Sequence, residues 1–164
     1  MAAVKPSIAE KRRLFQQLHQ SGCFVIPNPW DAGSARMLQG LGFKALATTS
    51  SGFAWSQGHP DNGVSRDATL AHLAEMVAAT EVPLNADFES GFAADAAGVA
   101  ESVRLAIETG VAGLSIEDST GNPAQPLFAI DEACKDARRA PRHRQGRRRR
   151  LAGGPRRVLP GGTA

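Results

Sequence analysis

Four acidic residues lie at the ends of two short apolar runs, where their spacing could serve metal chemistry. The run VPLNADFES ends in Asp87 and Glu89, and the run GLSIEDS ends in Glu117 and Asp118. Strands of parallel α/β sheets direct their carboxyl ends towards the active site. Carboxylates gathered there suit a hard cation such as Mg²⁺, which prefers oxygen ligands and water. The alternative is that each acid caps the helix or turn that follows it, which explains one strand end better than two in series.

The elements that would position these acids alternate between strand and helix. Apolar stripes, an S-x-x-E capping box at Ser7 and Glu10, and glycines at helix ends predict the helices. Short apolar runs predict the strands, and a segment rich in Gly, Ser, Pro and Asn predicts a loop. The predicted helices span 7–21, 32–40, 66–80 and 95–109, the strands span 24–26, 44–49, 83–88 and 112–116, and the loop spans 50–63.

This order of elements predicts an α/β fold with parallel strands joined by right-handed crossovers. A doubly wound sheet and a (β/α)8 barrel both begin in this way. No G-x-G-x-x-G follows the first predicted strand, which argues against a dinucleotide-binding sheet. Acids at successive strand ends favour the barrel.

The composition is that of a single globular domain without targeting signals. The chain has 164 residues, and its first residues lack the apolar core of a signal peptide. No apolar run is long enough to span a membrane. The two cysteines, Cys23 and Cys134, provide neither a disulfide framework nor a metal-binding spacing. We therefore expect a cytoplasmic protein with no membrane partner, and we expect Cys23, which begins an apolar run, to lie in the core.

The charge divides the chain into two unlike parts. Residues 1–134 hold 8 Lys/Arg and 15 Asp/Glu, a net charge of −7, whereas residues 135–164 hold 11 Lys/Arg and 1 Asp, a net charge of +10. A break this sharp indicates a change in the kind of sequence.

Four ordered segments of the first part carry a resemblance to a known family. They are FVIPNPWDAGSAR, ALATTSSGFAWSQGHPDNGV, PLNADFESGF and GVAGLSIEDS. In order and spacing over residues 10–133, the chain resembles the isocitrate lyase/phosphoenolpyruvate mutase superfamily. The resemblance implies the N-terminal half of a (β/α)8 TIM barrel, with about four parallel strands and their helices.

The resemblance also implies a chemistry and a set of site residues. Members of the superfamily bind Mg²⁺ and break a C–C or P–C bond of a small 2-oxo or dicarboxylic acid through an enolate. By position, the implied metal residues are Asp87, which would bind the cation directly, Glu89 and Glu117. The implied catalytic residues are Asp61 and Glu117, which would hold metal-bound waters. Ser51, Gly52 and Phe53 would present hydroxyl and backbone N–H groups to the substrate carboxylate.

Two departures from the family pattern narrow this expectation. Glu89 stands where an aspartate is usual, so its carboxylate reaches one methylene further. The segment 119–127 lacks the Cys, Lys and His of the K-[KR]-C-G-H loop that isocitrate-type lyases carry. We therefore do not expect cleavage of isocitrate or methylisocitrate by that mechanism. Trp30 and Asp31 could line the pocket, although Asp31 could equally cap the helix that follows.

The resemblance ends near Cys134 and gives a division into residues 1–133, a partial barrel domain, and 134–164, a basic tail. The tail has no apolar periodicity, so we expect it to be disordered, with any helix confined to residues 130–139. Read one nucleotide later with suitable codons, it would encode an amphipathic helix and a strand, which favours a frameshift just after Cys134.

The expected protein is an enzyme of this lyase lineage that is truncated and inactive as this chain. Two alternatives remain open. The Arg-rich tail could bind nucleic acid, which is the less favoured partner, because dense arginine binds phosphate. The half barrel could also pair with a second copy and form a homo-oligomer that closes eight strands.

Overall fold

A computed structural model describes residues 5–131 together with 133 and 134. Along this part of the chain, each strand is preceded by one or two helices. The helices are α1 (Ile8–Leu18), α2 (Ala32–Gly40), α3 (Ser50–Ser56), α4 (Arg66–Ala79) and α5 (Ala96–Glu108), and the strands are β1 (Leu46–Ala47), β2 (Leu84–Asp87) and β3 (Gly113–Ser115).

The described strands form one parallel sheet in the order β1-β2-β3. Leu46 pairs with Leu84, and Asp87 at the end of β2 pairs with Ser115 at the end of β3. Helices α3 and α4 connect the first pair of strands, and α5 connects the second. The prediction of an α/β fold with parallel strands is therefore confirmed, and β2 and β3 end at the same edge of the sheet.

The core lies between the sheet and helices α2, α4 and α5. Leu46 and Leu84 from the strands meet Leu73 and Met76 from α4, and all four side chains are buried. Burial of side chains of this size supplies most of the stability of such a layer, at about 1.5–3 kcal/mol each. The remaining fully buried members of the cluster are Ala35, Ala86, Phe88 and Ala106.

Capping residues set most of the helix boundaries, which is why the sequence could place them. Ser7 and Glu10 form the expected capping box at α1. Side chains of Asp31, Ser65 and Asp95 accept backbone N–H groups at the starts of α2, α4 and α5. Helix α2 has the predicted bounds. Helix α4 ends one residue earlier than predicted, and α5 is one residue shorter at each end.

Two predicted elements were wrong. Residues 24–26 are not a strand; one bond, from the Ala47 N–H to the Pro27 carbonyl at 3.0 Å, joins this segment to β1. Pro27 and Pro29 lack N–H groups and cannot continue a ladder. The predicted loop over 50–63 instead begins with the helix α3, which Thr49 caps by accepting the Gly52 N–H.

Cys23 was expected in the core and is exposed, as is Cys134. The apolar run that Cys23 begins is itself half outside the core, since 67% of Val25 is exposed. None of the helices in the described residues is long and apolar enough to cross a membrane.

The predicted disorder of the tail and the proposed frameshift concern residues that lie outside those described. At the start of the segment where a helix was allowed, residues 130, 131, 133 and 134 are helical.

The packing of α1 on β3 leads to a testable prediction at Gly113. A Cβ atom there would lie 2.6 Å from Cε1 of Phe15 and 2.8 Å from Oδ1 of Asn85. We therefore expect Gly113→Ala to lower the free energy of unfolding by about 1–3 kcal/mol, measured by denaturant titration.

Gly40→Ala is the matched control, because a Cβ at Gly40 would meet nothing within 4 Å. Its effect should stay within about 0.5 kcal/mol. Equal effects of the two substitutions would show that α1 does not pack on β3 as described.

Candidate metal and substrate site

Asp87, at the end of β2, is held by the first residue of α3. Both the backbone N–H and the hydroxyl of Ser50 donate to Oδ2 of Asp87, each at 2.8 Å. Two donors on one oxygen fix the orientation of the carboxylate. The other oxygen, Oδ1, is then the one through which Asp87 can bind a cation.

Thr48, the residue directly after β1, forms hydrogen bonds with the same end of β2. The N–H of Asp87 donates to Oγ1 of Thr48 at 2.9 Å, and the N–H of Thr48 donates to the carbonyl of Asn85 at 2.9 Å. Thr48 is buried, so these bonds are shielded from water. The positions of Asp87 and Ser50 are therefore set by the junction of two strands and one helix.

Glu89 is a buried carboxylate with a raised pKa. Burial, together with the negative charges of Asp61, Asp87 and Glu117, raises the pKa of Glu89 to about 7. Its backbone adopts φ 48°, a left-handed conformation that is uncommon for a residue with a side chain. Strain and uncompensated charge at one residue are typical of functional sites.

Glu117 and Asp61 complete the cluster from β3 and from the loop after α3. The backbone N–H of Glu117 donates to the carbonyl of Glu89 at 2.8 Å. Partial burial raises the pKa of Glu117, and the charges of Asp87, Asp61 and Asp118 add to this. Asp61 is exposed, and its Oδ1 accepts the N–H of Asn62 at 3.0 Å. The four acids thus act on one another electrostatically.

Basic side chains do not neutralise this cluster within the described residues. The ion pairs found there involve Asp67, Glu101 and Glu108 instead. In the same part of the chain, no three Asp, Glu, His or Cys side chains are grouped so that all could hold a metal ion directly.

Ser51, Gly52 and Phe53, expected to bind a substrate carboxylate, lie in the first turn of α3. The N–H of Gly52 donates to Oγ1 of Thr49 at 3.2 Å, and that of Phe53 donates to the Thr49 carbonyl at 3.0 Å. Two of the expected backbone donors are therefore engaged within the helix. The hydroxyl of Ser51 lies 3.3 Å from Oγ1 of Thr49 and lines an adjoining cavity.

The ring of Phe53 packs into the protein and stacks on His72 of α4. The two ring centroids are 3.8 Å apart and the ring planes differ by 9°. His72 is buried, and its Nε2 has no hydrogen-bond partner among the described residues. Burial lowers the pKa of His72, so the neutral ring is favoured against Phe53.

The sequence left the roles of Trp30 and Asp31 open, and the structure shows that Asp31 caps α2. Its Oδ1 accepts the N–H of Ser34 at 2.6 Å, and this bond lowers the pKa of the Asp31 carboxyl. The capping interpretation is therefore confirmed. Trp30 lines the cavity next to Ser51.

Sequence reasoning missed Thr48, Ser50 and His72. A signal for the first two existed, because the polar run Thr48-Thr49-Ser50-Ser51 directly follows an apolar strand. Nothing in the spacing of His72 distinguishes it from a surface residue of an amphipathic helix.

The geometry defines an α/β protein whose parallel sheet gathers carboxylates at the carboxyl ends of its strands. The chain belongs to the phosphoenolpyruvate phosphomutase family, whose sequence model matches residues 15–151. The matched range continues past Cys134, where the sequence analysis places the end of the resemblance. The expected superfamily is therefore confirmed, and its members include lyases and mutases that act on oxo acids.

Three known proteins illustrate the relationship. A solved structure from Burkholderia cenocepacia J2315, whose assignment as a lyase or mutase is provisional, is 49% identical with a TM-score of 0.79, and the match covers 81% of this chain and 48% of that one. An oxaloacetate acetylhydrolase, solved with its product oxalate, is 30% identical with a TM-score of 0.70, over 82% and 47% of the two chains. Oxaloacetate decarboxylase of Paraburkholderia xenovorans (strain LB400) is 33% identical, over 76% and 44%. This chain spans about half the length of the proteins it matches.

The raised pKa of Glu89 leads to a prediction about stability and pH. In the unfolded chain Glu89 ionises near its usual pKa of 4.5, whereas in the folded protein it stays protonated up to about 7. Its contribution is therefore most favourable below pH 4.5 and is lost as the pH rises from 4.5 to 7. We expect Glu89→Gln to raise the melting temperature at pH 7.5 and to leave it nearly unchanged at pH 4.5.

Glu108→Gln, on the exposed face of α5, is the control for the loss of one negative charge. Thermal unfolding of both variants at the two pH values measures the difference. A Glu89→Gln variant that is destabilised at pH 7.5 would contradict the assignment of Glu89 as a buried carboxyl with a raised pKa.

Proposed function

We propose that this chain forms a Mg²⁺ and 2-oxo acid site of a lyase-type enzyme, which breaks a C–C or P–C bond through an enolate. The observation that carries the proposal is the cluster of Asp61, Asp87, Glu89 and Glu117, whose negative charges lack a described cationic partner. Family membership supports the reaction class, and the chain's length relative to its relatives leaves the activity of this chain a proposal.

The residues present fit a Mg²⁺ ion. Close carboxylates that raise one another's pKa are stabilised when a divalent cation replaces the missing positive charge. Asp87 is the best direct ligand, because Ser50 already fixes its orientation through Oδ2. Glu89, Glu117 and Asp61 would accept hydrogen bonds from water molecules around the ion.

Each residue then has a distinct role with the substrate. The hydroxyl of Ser51 donates to a carboxylate of the oxo acid, while the stack of Phe53 on His72 keeps α3 in place. Bound Mg²⁺ would supply the positive charge that stabilises an enolate oxygen. In the metal-free site, Glu89 with its pKa of about 7 can give or accept a proton near neutral pH.

We further propose that the chain binds these ligands without turning them over. The described site residues come from the ends of β2 and β3 and from α3 and its following loop. These residues would contact a substrate from one side only, so the bond that reacts would stay exposed to water on the other side. An enolate needs a site shielded from water to gain its full electrostatic stabilisation.

The direct test of the metal site is Asp87→Asn. This change keeps the size of the side chain and removes its charge, so we expect the affinity for Mg²⁺, measured by calorimetry with oxalate present, to fall by about 100-fold or more. Asp67→Asn is the matched control, since Asp67 is an exposed acid on α4 and should leave the affinity unchanged. Equal Mg²⁺ binding by the two variants would remove Asp87 from the ligand role.

A second test separates the two adjacent serines. Ser50→Ala removes one of the two hydrogen bonds to Asp87, and we expect Mg²⁺ alone to bind about 10-fold more weakly. Ser51→Ala should leave binding of Mg²⁺ alone unchanged and should weaken binding of oxalate to the Mg²⁺-loaded protein. If both serines affect only oxalate, Ser50 does not position the metal ligand.

A further inference from the structure

Both tryptophans of the chain line one cavity beside the proposed carboxylate site. The sequence holds 2 Trp and no Tyr. The cavity has a volume of about 470 Å³ and lies between the start of α2 and the helix α3. Its lining residues are Asn28, Trp30, Thr49, Ser51, Gly52, Trp55 and Ser56.

The wall that carries Trp30 is closely packed. A Cβ atom at Gly52 would lie 2.6 Å from Cγ2 of Thr49 and 3.2 Å from Cβ of Trp30, so glycine is required there. Pro29 on one side is fully buried, and Asp31 on the other caps α2. The position of Trp30 relative to α3 is therefore fixed by the fold, although 49% of the residue is exposed.

The cavity is lined by both polar and apolar side chains. Among the polar groups, the hydroxyls of Thr49 and Ser51 lie 3.3 Å apart. The indoles of Trp30 and Trp55 form the apolar part, and Trp55 is 66% exposed. Among the described lining residues none carries a charge. A second carboxylate of a ligand would lose water there without gaining an ionic partner.

The size of the cavity also exceeds what the smallest oxo acids need. Sites for small molecules usually measure about 300–1,000 Å³ and are lined by apolar groups with a few placed polar ones. An acid as small as oxalate would contact the hydroxyls of Thr49 and Ser51 and leave both indoles exposed to water. A ligand with a larger apolar group would cover them.

From these features we infer that the cavity is a subsite for the side chain of a 2-oxo monocarboxylic acid with an apolar, aromatic or branched, substituent. This inference rests on the proposed function, because Ser51 would hold the carboxylate of the acid. Between the indoles the substituent gains offset or edge-to-face ring contacts as well as apolar burial. Each additional buried methylene is worth about fourfold in affinity.

The test compares four acids on the 164-residue chain with Mg²⁺ present: oxalate, pyruvate, 4-methyl-2-oxopentanoate and phenylpyruvate. Calorimetry gives the affinities. We expect the branched and aromatic acids to bind about 10-fold or more tightly than pyruvate. Because all tryptophan emission comes from Trp30 and Trp55, 4-methyl-2-oxopentanoate should also shift that emission, and oxalate should not.

Variants locate the effect. Trp55→Ala should reduce the affinity ratio of phenylpyruvate to pyruvate to about one, whereas Trp55→Phe should largely retain it. Leu41→Ala removes a similarly exposed apolar side chain that does not line the cavity, and it should leave the ratio unchanged.

The outcomes separate the subsite from the proposed function. Mg²⁺-dependent oxalate binding without any preference for the larger acids would overturn the subsite alone. Binding of phenylpyruvate that shifts the emission without Mg²⁺, in a protein that does not bind oxalate, would support the subsite and contradict the metal chemistry. Binding of no acid would contradict both. A blue shift of the emission on dimerisation, without ligand, would show that a second copy covers the indoles and would overturn the subsite.

Discussion

The contact between Ser50 and Asp87 is the constraint on which the rest of the site depends. It joins the end of β2 to the start of α3 through two donors on one carboxylate oxygen. Thr48 repeats the connection through the backbone N–H of Asp87. Without these bonds, α3 would be held in place through β1, which contributes two residues to the sheet. The acid that we propose as the metal ligand is therefore also the residue that fixes the helix beside the proposed substrate site.

The acidic cluster works against the stability of the fold. Glu89 is buried, adopts a left-handed backbone conformation and lies among three other acids. Each feature costs free energy, and nothing in the core requires them. An arrangement that raises the pKa of Glu89 to about 7 is stabilised by an added cation or proton, which explains how it can persist at a functional site.

The helices and the acidic cluster could be predicted from the sequence to the extent that they follow from residues close together along the chain. Helices α2, α4 and α5 were placed by apolar stripes and terminal glycines, and the structure shows that Asp31, Ser65 and Asp95 cap their starts. The acids at the strand ends predicted the cluster. Helix α3 was missed because Ser-Ser-Gly favours a loop by composition. Besides the local cap at Thr49, its first residue is held by bonds to Asp87, 37 residues away, and no local pattern reports such a contact.

The same limit applies to the function of α3. In a helix, successive side chains point about 100° apart, so Ser50 and Ser51 must face different surroundings. The sequence could assign Ser51 to substrate but could not show that Ser50 faces Asp87. Nor could it bring Trp30 and Trp55 together, because 25 residues separate them and neither lies in a periodic apolar stripe. A single turn of helix thus places Ser50 against Asp87, the proposed metal ligand, and Ser51 against the tryptophan-lined cavity. This is why substitutions at the two serines should affect the binding of different ligands.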